Sequence, residues 1–110
     1  ACGSDCPVER FDVMENIYCA VTRQDFNGQP AGGWYPQQRL TVEQAVYGHT
    51  MGAAYASYDE RVSGSLSVGK RADMAVVDRD IFTIPPAQIK EARVVMTVLD
   101  GEIVYEREER

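Results

Sequence analysis

From residue 24 to residue 40 the chain reads Gln-Asp-Phe-Asn-Gly-Gln-Pro-Ala-Gly-Gly-Trp-Tyr-Pro-Gln-Gln-Arg-Leu, with three glycines and two prolines. Proline lacks a backbone donor and glycine weakens helices and strands alike, so no regular element survives this density of breakers. The fold therefore has to be built on either side of a long loop. An unstructured stretch of this length is uncommon inside a compact domain and is often functional. It also carries Trp34, the only tryptophan, so its aromatic residues are expected to cover something apolar.

Both flanks of the loop read as helices. Before it, Asp12-Val13-Met14-Glu15 has the form of a capping box, an oxygen-bearing cap with Glu three residues on. Val13, Ile17, Ala20 and Val21 recur at helical spacing, and Arg23 near the end suits the helix dipole. After it, Thr41-Val42-Glu43-Gln44 is again a capping box, and Val42, Ala45, Val46, His49 and Ala53 share one face. Gly48, Gly52, Ala53, Ala54 and Ala56 make this helix small-sided. Each helical glycine costs about 1 kcal/mol against alanine, so close packing of another element is the expected compensation.

The ends of the chain read as β. Residues 1–8, with small residues ahead of Cys6-Pro7-Val8, look like a strand running out into a loop. Gly64, Gly69 and Lys70 mark turns, and Ala72–Asp78 is a short apolar run with β-branched residues. Pro85-Pro86 opens one helical turn through Ile89. Val94–Leu99, Asp100-Gly101 and Glu102–Tyr105 predict a hairpin, because Asp-Gly supplies the positive φ angles of a tight primed turn. The charged tail Glu106–Arg110 is expected to fray. The order is strand end, helix, loop, helix, then three or more strands: an α+β chain with a small antiparallel or mixed sheet.

Bulk properties bound the function. With 110 residues there is room for one small domain, not for a barrel of about 250. A net charge of −6 argues against nucleic acid and against an anionic membrane surface. No apolar run is long enough to span a bilayer. The first residues, Ala1-Cys2-Gly3-Ser4-Asp5, form no signal peptide and include no initiator Met, which we read as a chain that begins inside a larger protein. Three cysteines, Cys2, Cys6 and Cys19, make no disulfide framework and no zinc motif, and suit a reducing cytoplasm.

Few residues could carry chemistry. Asp5, at the expected strand-to-loop junction, could ligate a metal or act as a general base, against the common alternative of a turn aspartate bonded to its own backbone. His49 is the single histidine and falls on an apolar stripe. A packed histidine is the favoured reading, since one His cannot build a hydrolytic metal site. Ser4 lacks a nucleophile-elbow context, and nothing local supports Cys6 or Cys19 as a thiol nucleophile with His49. Gly28, Gly32 and Gly33 have the wrong spacing for a dinucleotide fingerprint.

Five segments together carry a resemblance. Ala1-Cys2-Gly3-Ser4-Asp5-Cys6-Pro7-Val8 is similar to the last barrel strand of the YtcJ-like branch of the amidohydrolase superfamily. Ala20-Val21-Thr22-Arg23 with Gly32-Gly33-Trp34-Tyr35-Pro36, Gln38–Ala45, Gly52–Ala56 and Gly64–Asp73 follow in that family's order, so the resemblance covers roughly residues 1–105. It implies a parent enzyme with a (β/α)₈ barrel and a β-sandwich subdomain, in which a divalent metal, often zinc, activates water to hydrolyse amide- or formamide-type C–N bonds. On this resemblance, residues 1–60 hold the last barrel strand, loop and helices, and residues 61–110 the β-sandwich segment. Asp5 would bind or lie beside the metal, and Trp34 and Tyr35 would wall the substrate pocket. The family's His-x-His pair is absent from these residues. The isolated chain is therefore expected to be inactive and to bind no metal. Its expected partners are the missing barrel portion and further copies of itself. The competing expectation is a self-standing binding or assembly module with a closed core of its own.

Overall fold

Asp12 starts the first helix as its residue type predicts. In the computed structural model, which describes residues 1–108, its carboxylate accepts the N–H groups of Met14 at 2.9 Å and Glu15 at 3.4 Å. Glu15 does not return the bond. Its Oε1 accepts from Arg10 Nη1 at 3.1 Å instead. Helix α1 runs over Val13–Thr22, and Arg23 ends it in the left-handed region at φ 56°, its N–H bonded to the Cys19 carbonyl. The buried face is Met14, Ile17, Tyr18, Val21 and Thr22. Of the expected stripe only Ile17 and Val21 are buried: Val13 is exposed, Ala20 is partly buried, and Met14, Tyr18 and Thr22 complete the face. The bulky phenol wins the inward position because its ring fills the core while its hydroxyl reaches the Asp25 carbonyl at 2.8 Å.

The second capping box closes completely. Thr41 Oγ1 accepts the Gln44 N–H at 3.2 Å, and Gln44 Oε1 accepts the Thr41 N–H at 3.0 Å. The apolar stripe through Ala53 predicts one helix, but the chain makes two: α2 over Val42–His49 and α3 over Met51–Ala56. Thr50 breaks the run at φ −117°, ψ −94°, with its hydroxyl donating to the Val46 carbonyl. Gly48 and Gly52 on either side lower the helix propensity that would have opposed the break. The expected close packing is present. A Cβ on Gly48 would collide with the Cys2 side chain, and one on Gly52 would sit 3.4 Å from the Ala1 nitrogen.

Residues 1–8 are not a strand. Cys2 N–H bonds the Gly48 carbonyl at 2.8 Å, and Asp5–Val8 form a turn closed by Val8 N–H on the Asp5 carbonyl at 2.9 Å. A strand needs a ladder partner, and every strand among the described residues lies elsewhere, in β1 (Met74–Val77), β2 (Val94–Leu99) and β3 (Glu102–Glu106). These form one antiparallel sheet in the order β1-β2-β3. The hairpin falls where Asp100-Gly101 places it, with φ 50° and 85°. The residues leading into β1 secure that turn: Asp73 accepts the Asp100 N–H at 2.8 Å, and the Ala72 carbonyl accepts that of Gly101 at 3.1 Å. β3 is exposed along its length and carries Glu102 and Glu106, charges that discourage edge-to-edge pairing. Of the tail expected to fray, Glu109 and Arg110 lie outside the described residues.

One core joins the halves of the sequence. Met14, Ile17, Tyr18, Val21 and Ala45 pack with Ile81, Ile89 and Ala92. Ile89 is fully buried on a 3₁₀ helix over Pro86–Glu91, the element that packs most heavily on α1. Between α1, α2 and β1 a cleft of about 800 Å³ stays open, lined by Met14, Ile17, Val46, Met74 and Val77 with His49 on its wall.

Candidate functional site

The loop at 24–40 is irregular, apart from one 3₁₀ turn at Pro36–Gln38, but it is not loose. It is tied to α1 at three points. Tyr18 hydroxyl holds its start at Asp25. Leu40 N–H bonds the Ala20 carbonyl at 3.0 Å at its end. In the middle, Trp34 N–H bonds the Arg23 carbonyl at 2.8 Å, while Arg23 Nε–H donates back to the Trp34 carbonyl at 2.8 Å. Gly33 makes this approach possible, since its φ of +90° carries the loop past the Thr22 carbonyl with no room for a Cβ.

The consequence is an exposed aromatic pair on a rigid support. Trp34 and Tyr35 meet edge-on, with ring centroids 4.7 Å apart and planes at 89°. The Arg23 guanidinium lies 5.2 Å from the indole centroid, within cation–π range. Yet Trp34 is 61% exposed and Tyr35 52%. Arg23, which from sequence suits the helix dipole, is the residue that clamps Trp34. The usable signal was its place at the end of α1, eleven residues before a tryptophan.

Asp5 is exposed and left-handed, at φ 52°. No group of three or more His, Cys, Asp or Glu side chains among the described residues could hold a metal ion. The sequence-predicted residues thus fall into one assembled pair, Trp34 with Tyr35, and one separate carboxylate, Asp5. The residues present do not fit a catalytic metal, which takes about three protein ligands.

His49 and Cys19 are set against chemistry of their own. Partial burial at the end of α2 holds the His49 imidazole below its ordinary value of 6.5. The folded chain therefore keeps it neutral while the unfolded chain protonates. Stability is intact above about pH 6.5 and falls as pH drops below it, because the unfolded state binds the extra proton. Urea midpoints measured from about pH 7 to about pH 5 are expected to decline, and His49→Gln to flatten that decline. For Cys19, partial burial first, then the Glu9, Glu15 and Asp25 carboxylates, raise the thiol above its ordinary value. A raised thiol is a poor nucleophile, the opposite of what a thiol enzyme needs.

The model of the amidohydrolase family matches residues 1–105. The chain belongs to the amidohydrolase family. Among curated relatives, YtcJ of Bacillus subtilis, itself named an amidohydrolase, is 36% identical over 105 residues, covering 96% of this chain and 20% of the relative. The N-substituted formamide deformylase of Arthrobacter pascens is 33% identical over 105 residues, 96% of this chain and 19% of its own. A 5-methylthioadenosine/S-adenosylhomocysteine deaminase of Symbiobacterium thermophilum is 32% identical over 96 residues, 79% of this chain and 20% of its own. The chain thus spans about a fifth of the length of the relatives it matches. No solved structure matches it. Among the described residues no helix is long and apolar enough to cross a membrane.

Proposed function

We propose that these 110 residues are the C-terminal part of a metal-dependent amidohydrolase that cleaves non-peptide C–N bonds, and that they are inactive alone. One observation carries this reading: an amidohydrolase match over residues 1–105 that accounts for only about a fifth of each relative. The relatives named for deformylation and deamination support C–N chemistry as the class. In this reading residues 1–60 end the barrel and residues 61–110 belong to the β-sandwich subdomain. Asp5 lies at the metal site, which receives its other ligands from outside these residues. Trp34 and Tyr35 wall the substrate mouth. The metal, when bound in the whole enzyme, supplies an activated water.

The same reading makes the missing barrel portion, or a second copy, the cover for apolar surface. Phe11 is 80% exposed, Tyr55 70% and Leu66 72%, large apolar side chains that such a partner would cover. The core uniting α1, α2 and the 3₁₀ helix favours the second reading, a self-standing module. A sharp cooperative transition in a strict monomer would support that module.

Elemental mass spectrometry of the purified chain, dialysed at neutral pH, tests the inactive-part reading. The expected result is near-zero zinc, iron and manganese. About one metal per chain, lost on Asp5→Ala, would mean that copies of the chain assemble a site among themselves and would sink the inactive-part reading.

A further inference from the structure

Trp34 is 61% exposed, yet contacts within the chain fix its position. Its backbone is fixed by reciprocal bonds with Arg23, both 2.8 Å. Its ring is backed by the Arg23 guanidinium at 5.2 Å and met at a right angle by Tyr35. Gly33 fixes the approach by lying against the Thr22 carbonyl. The result is a two-walled aromatic corner whose ordering is complete before any ligand arrives, which is the condition under which aromatic walls contribute most to affinity. Two perpendicular π-surfaces suit a flat guest, which can stack on one ring while presenting its edge to the other. A saturated ring of equal size offers only C–H contacts, with neither a flat π-face to stack nor an aromatic edge to present.

We propose that Trp34 and Tyr35, locked by Arg23, bind a planar aromatic substituent of the substrate amide, and that Arg23 is the positioning residue of this corner. The substrate class is an N-aryl or otherwise aromatic-bearing amide. The inference rests on the placement of Trp34 and Tyr35 at the substrate mouth, but its test does not need turnover.

Trp34 is the only tryptophan, so its emission reports on the corner directly. The probes are acetanilide and N-cyclohexylacetamide, which share an amide and differ in whether the ring is flat. Acetanilide is expected to change Trp34 emission saturably and to bind about three- to tenfold tighter than the cyclohexyl compound. Arg23→Lys keeps the charge but loses the planar stack. It should bring that ratio close to one while leaving the far-UV circular dichroism unchanged. Tyr35→Leu, which keeps an apolar wall without a π-face, should reduce the ratio as well. Equal affinities, no binding of either probe, or a ratio untouched in Arg23→Lys would overturn the proposal. So would an emission shift that depends on protein concentration without ligand, since a protein surface would then own the corner. If the flat-ring preference holds but the whole enzyme hydrolyses no C–N bond, only the functional reading fails. If hydrolysis is found with no flat-ring preference, only this inference fails.

Discussion

Replacing Tyr18 with alanine should lower the unfolding free energy by about 3–5 kcal/mol, as large-to-small changes of buried aromatic residues do. Tyr18 is 1% exposed and sits at the centre of the core shared by α1 and Ile89. It also carries three attachments besides its buried area. The hydroxyl holds the Asp25 carbonyl, the ring stacks with Phe26 at 6.2 Å, and Lys90 Nζ lies 4.9 Å from its centroid. Small domains have total stabilities of about 5–15 kcal/mol, with short chains at the low end, so the variant should be largely unfolded or close to it. Tyr18→Phe keeps the ring and removes one hydrogen bond, for a cost of about 0.5–1.5 kcal/mol. Because Asp25 is exposed, water can replace the lost donor, which places the phenylalanine variant near the lower figure. Urea unfolding followed by circular dichroism checks both. Equal losses in the two variants would show that the hydroxyl tether, not the ring, organises this core.

What could be read from the sequence was what local chemistry determines. Asp12 and Thr41 signalled helix starts because a short oxygen-bearing side chain satisfies the free N–H groups of a first turn. Asp100-Gly101 signalled the hairpin because few other pairs accept two positive φ angles. Breakers at 24–40 signalled the loop. The misreadings came where tertiary contacts decide. Val13 and Tyr18 both fit a helical stripe, and only the partner surface selects Tyr18. The break at Thr50 depends on a hydroxyl turned back onto Val46, a choice that residue type leaves open. The small residues ahead of Cys6-Pro7-Val8 suit the end of a strand running into a loop, but strand formation also needs a neighbour, and a sequence does not display one. For the candidate site, Trp34 and Tyr35 stood out as aromatic residues in a breaker-rich loop. The clamp on them did not, because Arg23 acts across eleven residues through a conformation set by Gly33.

That dependence on Gly33 gives the sharpest test of how the loop is held. At φ +90° any L-residue is strained, typically by about 1–3 kcal/mol. Gly33→Ala adds a second penalty, because the new Cβ would overlap the Thr22 carbonyl oxygen, a backbone atom that cannot rotate aside. Relief requires the loop to lift from the end of α1. Lifting breaks both bonds between Trp34 and Arg23 and removes the guanidinium from the indole face. Gly33→Ala should therefore lose more stability than the strain alone and also shift Trp34 emission toward that of a free indole in water. Gly32→Ala is the matched comparison, with nearly the same φ of +81° but nothing within 4 Å of the added Cβ. It carries the strain without the overlap, so it should cost less and leave the Trp34 emission in place. Thermal unfolding and fluorescence of the two variants, measured together, decide the matter. If Gly32→Ala moves the tryptophan as far as Gly33→Ala does, the contact with Thr22 is not what fixes the aromatic corner. The reciprocal Arg23–Trp34 bonds would then have to hold it unaided.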